Sequence, residues 1–169
     1  MSRETRYLRV YISTGSANYQ AARVFLLELS VAANRVYPEV NVVLAYDWMS
    51  RAEAAYSSPE GLEDYRMSRC RYGEQMLQSI DLADFMVVLP GGGQGTYTEA
   101  GVFLGLNRFG GRKAARPIFL VETDDMEYAL SPFYNAADEQ YIVNCSPEKQ
   151  ADYIMRALRR SHNELGLLR

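Results

Sequence analysis

The chain has one histidine, His162, near the end of its 169 residues, and two cysteines, Cys70 and Cys145. So little imidazole and thiol argues against a histidine metal site, a Ser-His-Asp triad and a Cys-His dyad. The cysteines have neither metal-ligand spacing nor the density of a disulfide framework, so two reduced thiols and no metal or other cofactor are expected. Lysine is also scarce: sixteen of the 18 basic residues are arginine, a bias that genome composition explains more readily than phosphate recognition. No run of about eighteen apolar residues is available to span a bilayer. Met1 to Arg9 is charged and leads into a strand pattern, without the apolar core and cleavage site of a signal peptide. The expectation is a cytoplasmic protein with no membrane partner. The net charge of −3 comes from dispersed residues, which gives no basic stripe for polymeric nucleic acid. A small ligand is expected instead.

What the chain does have is an alternation of strand and helix patterns, with 48% hydrophobic residues, enough for one substantial core over residues 1–169. Tyr7 to Ser13 is rich in β-formers and stops at the turn and N-cap signal Thr14-Gly15-Ser16. Ala22, Phe25, Leu26 and Leu29 predict a helix from Asn18 to Ala33. Pro38 ends that connection, and Val40 to Ala45 is a nearly continuous apolar strand of the kind buried in parallel sheets. Arg51 to Asp64, small, polar and interrupted by Pro59 and Gly61, predicts a mobile loop or short helix, a common lid length. A helix is expected from Glu63 to Ile80, with Met67, Cys70, Met76, Leu77 and Ile80 inward. A strand from Phe85 to Leu89 precedes a helix from Thr96 to Asn107, capped by Gly110-Gly111. Then come a strand from Pro117 to Val121 ending at Glu122 to Asp125, a strand from Tyr141 to Val143, and a helix from Pro147 to about Leu165. This order calls for a single α/β domain, a doubly wound Rossmann-like or flavodoxin-like parallel sheet of five strands flanked by helices. Ligands in such folds bind at the C-terminal strand edge.

The densest feature on that edge is Pro90-Gly91-Gly92-Gly93-Gln94-Gly95-Thr96-Tyr97-Thr98-Glu99. Glycines let backbone N–H groups approach a ligand, and a helix N-terminus adds unpaired donors and partial positive charge. A Rossmann fingerprint needs G-x-G-x-x-G after the first strand, and a Walker loop needs Gly-Lys-Ser/Thr; neither pattern is present. Four glycines in five positions still exceed what a turn requires. Gly92, Gly93, Gly95 and Thr96 are therefore candidate ligand contacts for a phosphate or sugar hydroxyl. Glu99, expected in the first helical turn, would face the same cavity.

YISTGS (Tyr11 to Ser16), the pre-strand Ala83-Asp84 and GTYTEAG (Gly95 to Gly101) together resemble the nucleoside 2-deoxyribosyltransferase superfamily. That superfamily includes deoxynucleoside 5′-monophosphate N-glycosidases. The resemblance covers about residues 7 to 121, and G-T-x-x-E-x-G is its most specific part. Tyr46-Asp47-Trp48 is similar to a subgroup of small relatives. PGG followed by GTxxE also resembles the lonely-guy phosphoribohydrolases, with one additional residue between PGG and GT. Both resemblances imply cleavage between a sugar C1′ and a base nitrogen. They imply Glu99 as nucleophile, with a glycosyl-enzyme intermediate and retention, and Tyr11 as the hydroxyl that orients it. Ser13, Thr14, Gly15 and Ser16 resemble a 5′-phosphate cradle. The family's proton-donating Asp, eight residues before the pre-strand Asp, falls here on Met76, which cannot transfer a proton. Glu74, Gln75 or Asp81 could replace it with a register shift, or Asp47 from the neighbouring loop.

Trp48 could stack on a base, with a half-buried packing role of about equal weight, and Asp47 could bond an amino group on it or be a solvated turn aspartate. Tyr128 to Asn135 corresponds loosely to a segment that reaches a neighbouring subunit in the transferases, and the resemblance implies a dimer or higher homo-oligomer. The expected ligand is a nucleoside or nucleoside 5′-monophosphate, with hydrolysis ranked above base exchange. The alternatives are a non-catalytic nucleotide sensor and a lonely-guy-like phosphoribohydrolase.

Overall fold

The structure, a computed structural model, describes residues 6–110, 116–121, 140–143 and 145–164. It is α/β, a parallel sheet flanked by helices. The chain runs β1 (Arg6–Ser13), a single 3₁₀ turn (Ser16–Asn18), α1 (Tyr19–Val36), β2 (Val40–Leu44), α2 (Trp48–Tyr56), α3 (Pro59–Met67), α4 (Arg69–Leu82) and β3 (Phe85–Val88). It continues with α5 (Gln94–Phe109), β4 (Ile118–Val121), β5 (Gln140–Val143) and α6 (Pro147–Glu164). β2, β1, β3 and β4 pair in parallel in that order, and β5 pairs in parallel outside β4. The successors of β1 thus lie on opposite sides of it. Ser13, the last residue of β1, is opposite Val88, the last of β3, so the loops leaving these strands emerge side by side.

Strand alternation sends residues to two separate cores. Leu8, Val10, Ile12, Val40, Val42, Phe85, Val87, Phe119 and Val121 pack with α1 and α6. Tyr11, Met86, Val88, Ile118 and Leu120 pack with Ile80, Ala83, Ala100 and Phe103 of the α4 and α5 side. Every residue of β3 and β4 is buried, which accounts for their unbroken apolar character.

The described residues differ from expectation mainly between β2 and β3. Of the mobile loop or short helix expected from Arg51 to Asp64, the helical alternative holds: the segment contributes to α2 and α3, separated by Ser57 and Ser58. Asp47 caps α2 by accepting from the Ser50 N–H (3.1 Å), and Met49, Ala52 and Ala55 are buried beneath it. Pro59 is the first residue of α3, a position that needs no N–H, and Ser58 caps it through the Gly61 N–H at 3.0 Å. The apparent breakers therefore start a helix. The single helix expected from Glu63 to Ile80 divides at Ser68, whose N–H and hydroxyl both turn back to the Asp64 carbonyl. Met67 and Leu77, expected inward, are exposed, whereas Ile80 is buried; the side chain of Cys70 lies outside the described residues. Gly110 does cap α5: its N–H bonds Leu106 O, and a Cβ there would come within 2.4 Å of that oxygen. Gly111, Glu122 to Asp125 and Tyr128 to Asn135 lie outside the described residues.

Two polar devices fix the frame. Asp84 accepts from the Arg9 N–H at 2.7 Å while its own N–H donates to Arg9 O at 2.8 Å, so this part of the motif joins β1 to β3 at the edge opposite the glycine loop. Arg116, buried just ahead of β4, donates from Nη1 to the carbonyls of Ile80, Asp81 and Ala83 at 2.8 to 2.9 Å and lies over the Phe103 ring. It closes the C-terminus of α4, where a cation is favoured.

Candidate active site

Tyr11 and Ser13 are two apart on β1, so both face α5. Both side chains are 1% exposed. Glu99 of α5 accepts a hydrogen bond from the Ser13 hydroxyl and has the Tyr11 hydroxyl beside it. Burial raises the Glu99 carboxyl to about 7 against these two hydroxyls, which favour its charged form. Burial and the adjacent Glu99 charge push the Tyr11 phenol well above its usual range, so it is a fixed donor to the carboxylate. A carboxylate held by one hydrogen bond, with a second donor beside it, keeps a defined orientation and lone-pair sites free for a ligand.

Glu99 is not in the first turn of α5. The helix begins at Gln94 with Gly93 as N-cap, two residues earlier than expected, so Glu99 sits in the second turn. Gly93 offers no side-chain cap, leaving first-turn N–H groups available to a ligand. At 1.5 Å rise per residue, Glu99 lies about 7.5 Å along the axis from Gln94. One helix therefore presents an anion-binding end and a carboxylate a sugar-phosphate length apart.

These groups line a cavity of about 620 Å³, bounded by Thr14 to Ser16 after β1, Gly93 to Thr96, and Glu99. Its remaining wall is Trp48, Tyr65, Tyr72 and Met76. The glycines divide by purpose. Gly91 has φ +77°, a left-handed conformation that side chains resist, and its carbonyl accepts from Asn18 Nδ2 at 3.0 Å. A Cβ on Gly15 would lie 2.7 Å from Gly91 O, and one on Gly92 would lie 2.4 Å from Thr96 Oγ1. Cβ atoms on Gly93 and Gly95 would meet nothing within 4 Å. The first three glycines are required by packing and the last two leave room in the cavity. Thr14 Oγ1 donates to Pro90 O at 2.8 Å and ties the two loops together. The Thr96 hydroxyl is buried without a hydrogen-bond partner among the described residues.

Of the residues singled out from sequence, Ser13 and Tyr11 reach Glu99, and Gly15, Ser16, Trp48, Gly93, Gly95 and Thr96 line the cavity. Gly92 supports the loop from behind through its contact with Thr96. Trp48 is anchored by its indole N–H to Ile12 O at 2.8 Å, and Ser16 Oγ lies 3.1 Å from the Tyr56 hydroxyl. Asp47 does not line the cavity; its carboxylate is held by the Ser50 N–H and hydroxyl, bonds that lower its pKa. Glu74, Gln75 and Asp81 are exposed and outside the lining too. Met76 is on the wall and contributes a thioether to this space.

Sequence reading missed Tyr65 and Tyr72. Their rings stack at 6.3 Å and 27°, and Arg51 lies 4.2 Å over Tyr72 while donating to the Tyr46 hydroxyl at 2.5 Å. The tyrosine richness of the chain was the available signal; both tyrosines fall in the helix expected from Glu63 to Ile80, whose inward positions were assigned to other side chains. Among the described residues no three His, Cys, Asp or Glu side chains group to hold a metal ion, and no helix is long and apolar enough to cross a membrane. Comparison with family models, curated proteins and solved structures finds no match to this chain.

Proposed function

We propose that this chain cleaves the N-glycosidic bond of a nucleoside 5′-monophosphate, on a doubly wound five-stranded sheet, with water as the acceptor in preference to a second base. The observation that carries this reading is Glu99, a half-buried carboxylate bonded by Ser13 and flanked by Tyr11 on the wall of a cavity that also holds an uncapped helix N-terminus. The phosphate would lie against Gly93 to Gly95, where the absent Cβ atoms leave space and α5 supplies N–H groups. The sugar would then lie with C1′ toward Glu99. Attack by Glu99 through an oxocarbenium-like transition state expels the base and leaves a glycosyl ester, which water hydrolyses with overall retention.

The test is incubation with ribo- and deoxyribonucleosides and their 5′-monophosphates, following base release by chromatography. Release from monophosphates that is lost in Glu99→Gln supports the reading. No base from any substrate with folded protein would overturn it. A second reading, a nucleotide-binding sensor without turnover, is favoured by Met76 on the wall. It expects a monophosphate-dependent rise in melting temperature and no base release. The lonely-guy-like alternative expects release confined to ribonucleotides of modified adenine.

A further inference from the structure

Resting on the glycosidase reading above, we infer that the substrate's leaving base is already cationic, a pyridinium or N7-alkylated purinium nucleotide that departs as a neutral molecule and needs no proton. Among the described residues lining the cavity, Glu99 has the only carboxyl, and there is no histidine, lysine, arginine or cysteine. Glu99 forms the new bond to C1′, so it cannot also protonate the base. The wall that would receive the base carries an indole, two phenol rings and a thioether: Trp48, Tyr65, Tyr72 and Met76. Electron-rich rings attract cations, and the wall offers a neutral purine or pyrimidine only the two phenol hydroxyls as proton donors, far weaker acids than a carboxyl. Trp48 is held by Ile12 O and the tyrosines by their mutual stacking, so this wall is preformed. Arg51 lies over the Tyr72 and Tyr46 rings and is not part of the lining; its charge is directed to those two rings.

In the first step the Glu99 carboxylate bonds to C1′ and the C1′–N electron pair enters the ring, cancelling its positive charge. Water then attacks C1′, the Glu99 ester bond breaks, and the proton from water goes to solvent. Each turnover of a cationic substrate therefore releases one proton; hydrolysis of a neutral nucleotide to a neutral base releases none.

The experiment compares N7-methylguanosine 5′-monophosphate with guanosine 5′-monophosphate, each in ribo and 2′-deoxyribo forms, and adds nicotinamide mononucleotide. Rates are divided by the uncatalysed rate of each compound, and protons are followed in a pH-stat. The expected result is a normalised kcat/KM about tenfold higher for the methylated partner, the scale of cation–π attraction on a desolvated wall, with one proton released per nicotinamide. Met76→Asp should raise turnover of the neutral partner by about tenfold or more, with little change for the cationic one. Equal normalised rates for the charged and neutral partners would overturn this inference while leaving the glycosidase reading in place. So would turnover of neutral pyrimidine monophosphates that falls in Arg51→Met, since that indicates an anionic leaving group stabilised by the guanidinium. Base from none of the compounds would remove both.

Discussion

Glu99, the nucleophile of the proposed reaction, has a stability cost attached to it. Its carboxyl is raised from 4.5 to about 7 in the folded chain, so the native state holds this proton more tightly than the unfolded state. Stability from this group is complete below about pH 4.5 and is lost as pH rises through about 7. A nucleophile must be ionised, so kcat/KM is expected to climb through the same interval and level off above it. Glu99→Gln should abolish base release and flatten the pH dependence of melting. At pH 8 it should be more stable than the parent by roughly 1 to 3 kcal/mol, with little difference at pH 4.5. A variant that melts below the parent at pH 8 would contradict the burial account. Gly95 makes a complementary case. A Cβ there meets open space on the cavity side, so Gly95→Ala should keep or raise stability by up to about 1 kcal/mol. It should weaken ligand affinity by about tenfold, equivalent to 1.4 kcal/mol; unchanged affinity for a nucleoside monophosphate, measured by calorimetry, would place the ligand elsewhere.

The elements around the site depend on a few side chains that terminate or join them. Arg116 is buried, and its Nη1 satisfies three carbonyls at the end of α4. Arg116→Met should lower unfolding free energy by about 3 kcal/mol, because several buried carbonyls lose their donor at once; denaturant titration within 1 kcal/mol of the parent would be inconsistent with that role. Its effect on the cavity is indirect, since α4 carries Tyr72 and Met76. The strands were legible in the sequence because β3 and β4 are buried on both faces and leave no polar residue to blur the pattern. The segment from Trp48 to Met67 was not, because its signals are positional: Pro59 and Gly61 read as breakers until Ser58 is seen to cap the helix they start. The start of α5 was misplaced for a related reason. Gln94 and Gly95 look like loop residues, yet they form its first turn and move Glu99 into the second.

At the scale of the molecule, the order of strands produces the site. β1 has β2 on one side and β3 on the other, so the loop carrying Gly15 and Ser16 and the loop carrying Gly91 to Gly93 meet above the sheet. Asn18 Nδ2 to Gly91 O, Thr14 Oγ1 to Pro90 O and the packing of Gly15 on Gly91 O hold them together. Sequence gave access to both loops and to Glu99 through the spacing of the motif. It gave no access to the aromatic wall, which is assembled from α2, α3 and α4 by tertiary packing. The Ala83-Asp84 part of the motif proves to be a strand clamp on Arg9, far from the chemistry in role. Asp47 is a helix cap.

The most direct test of the central claim is to trap the glycosyl ester. The protein would be incubated with a 2′-fluoro-arabinosyl nucleotide, whose fluorine slows hydrolysis of the ester, and analysed by intact-mass and peptide mass spectrometry. The expected result is one sugar-phosphate adduct on the peptide containing Glu99, absent from Glu99→Gln. Base release without an adduct, or an adduct on another residue, would contradict the assignment of Glu99 as nucleophile.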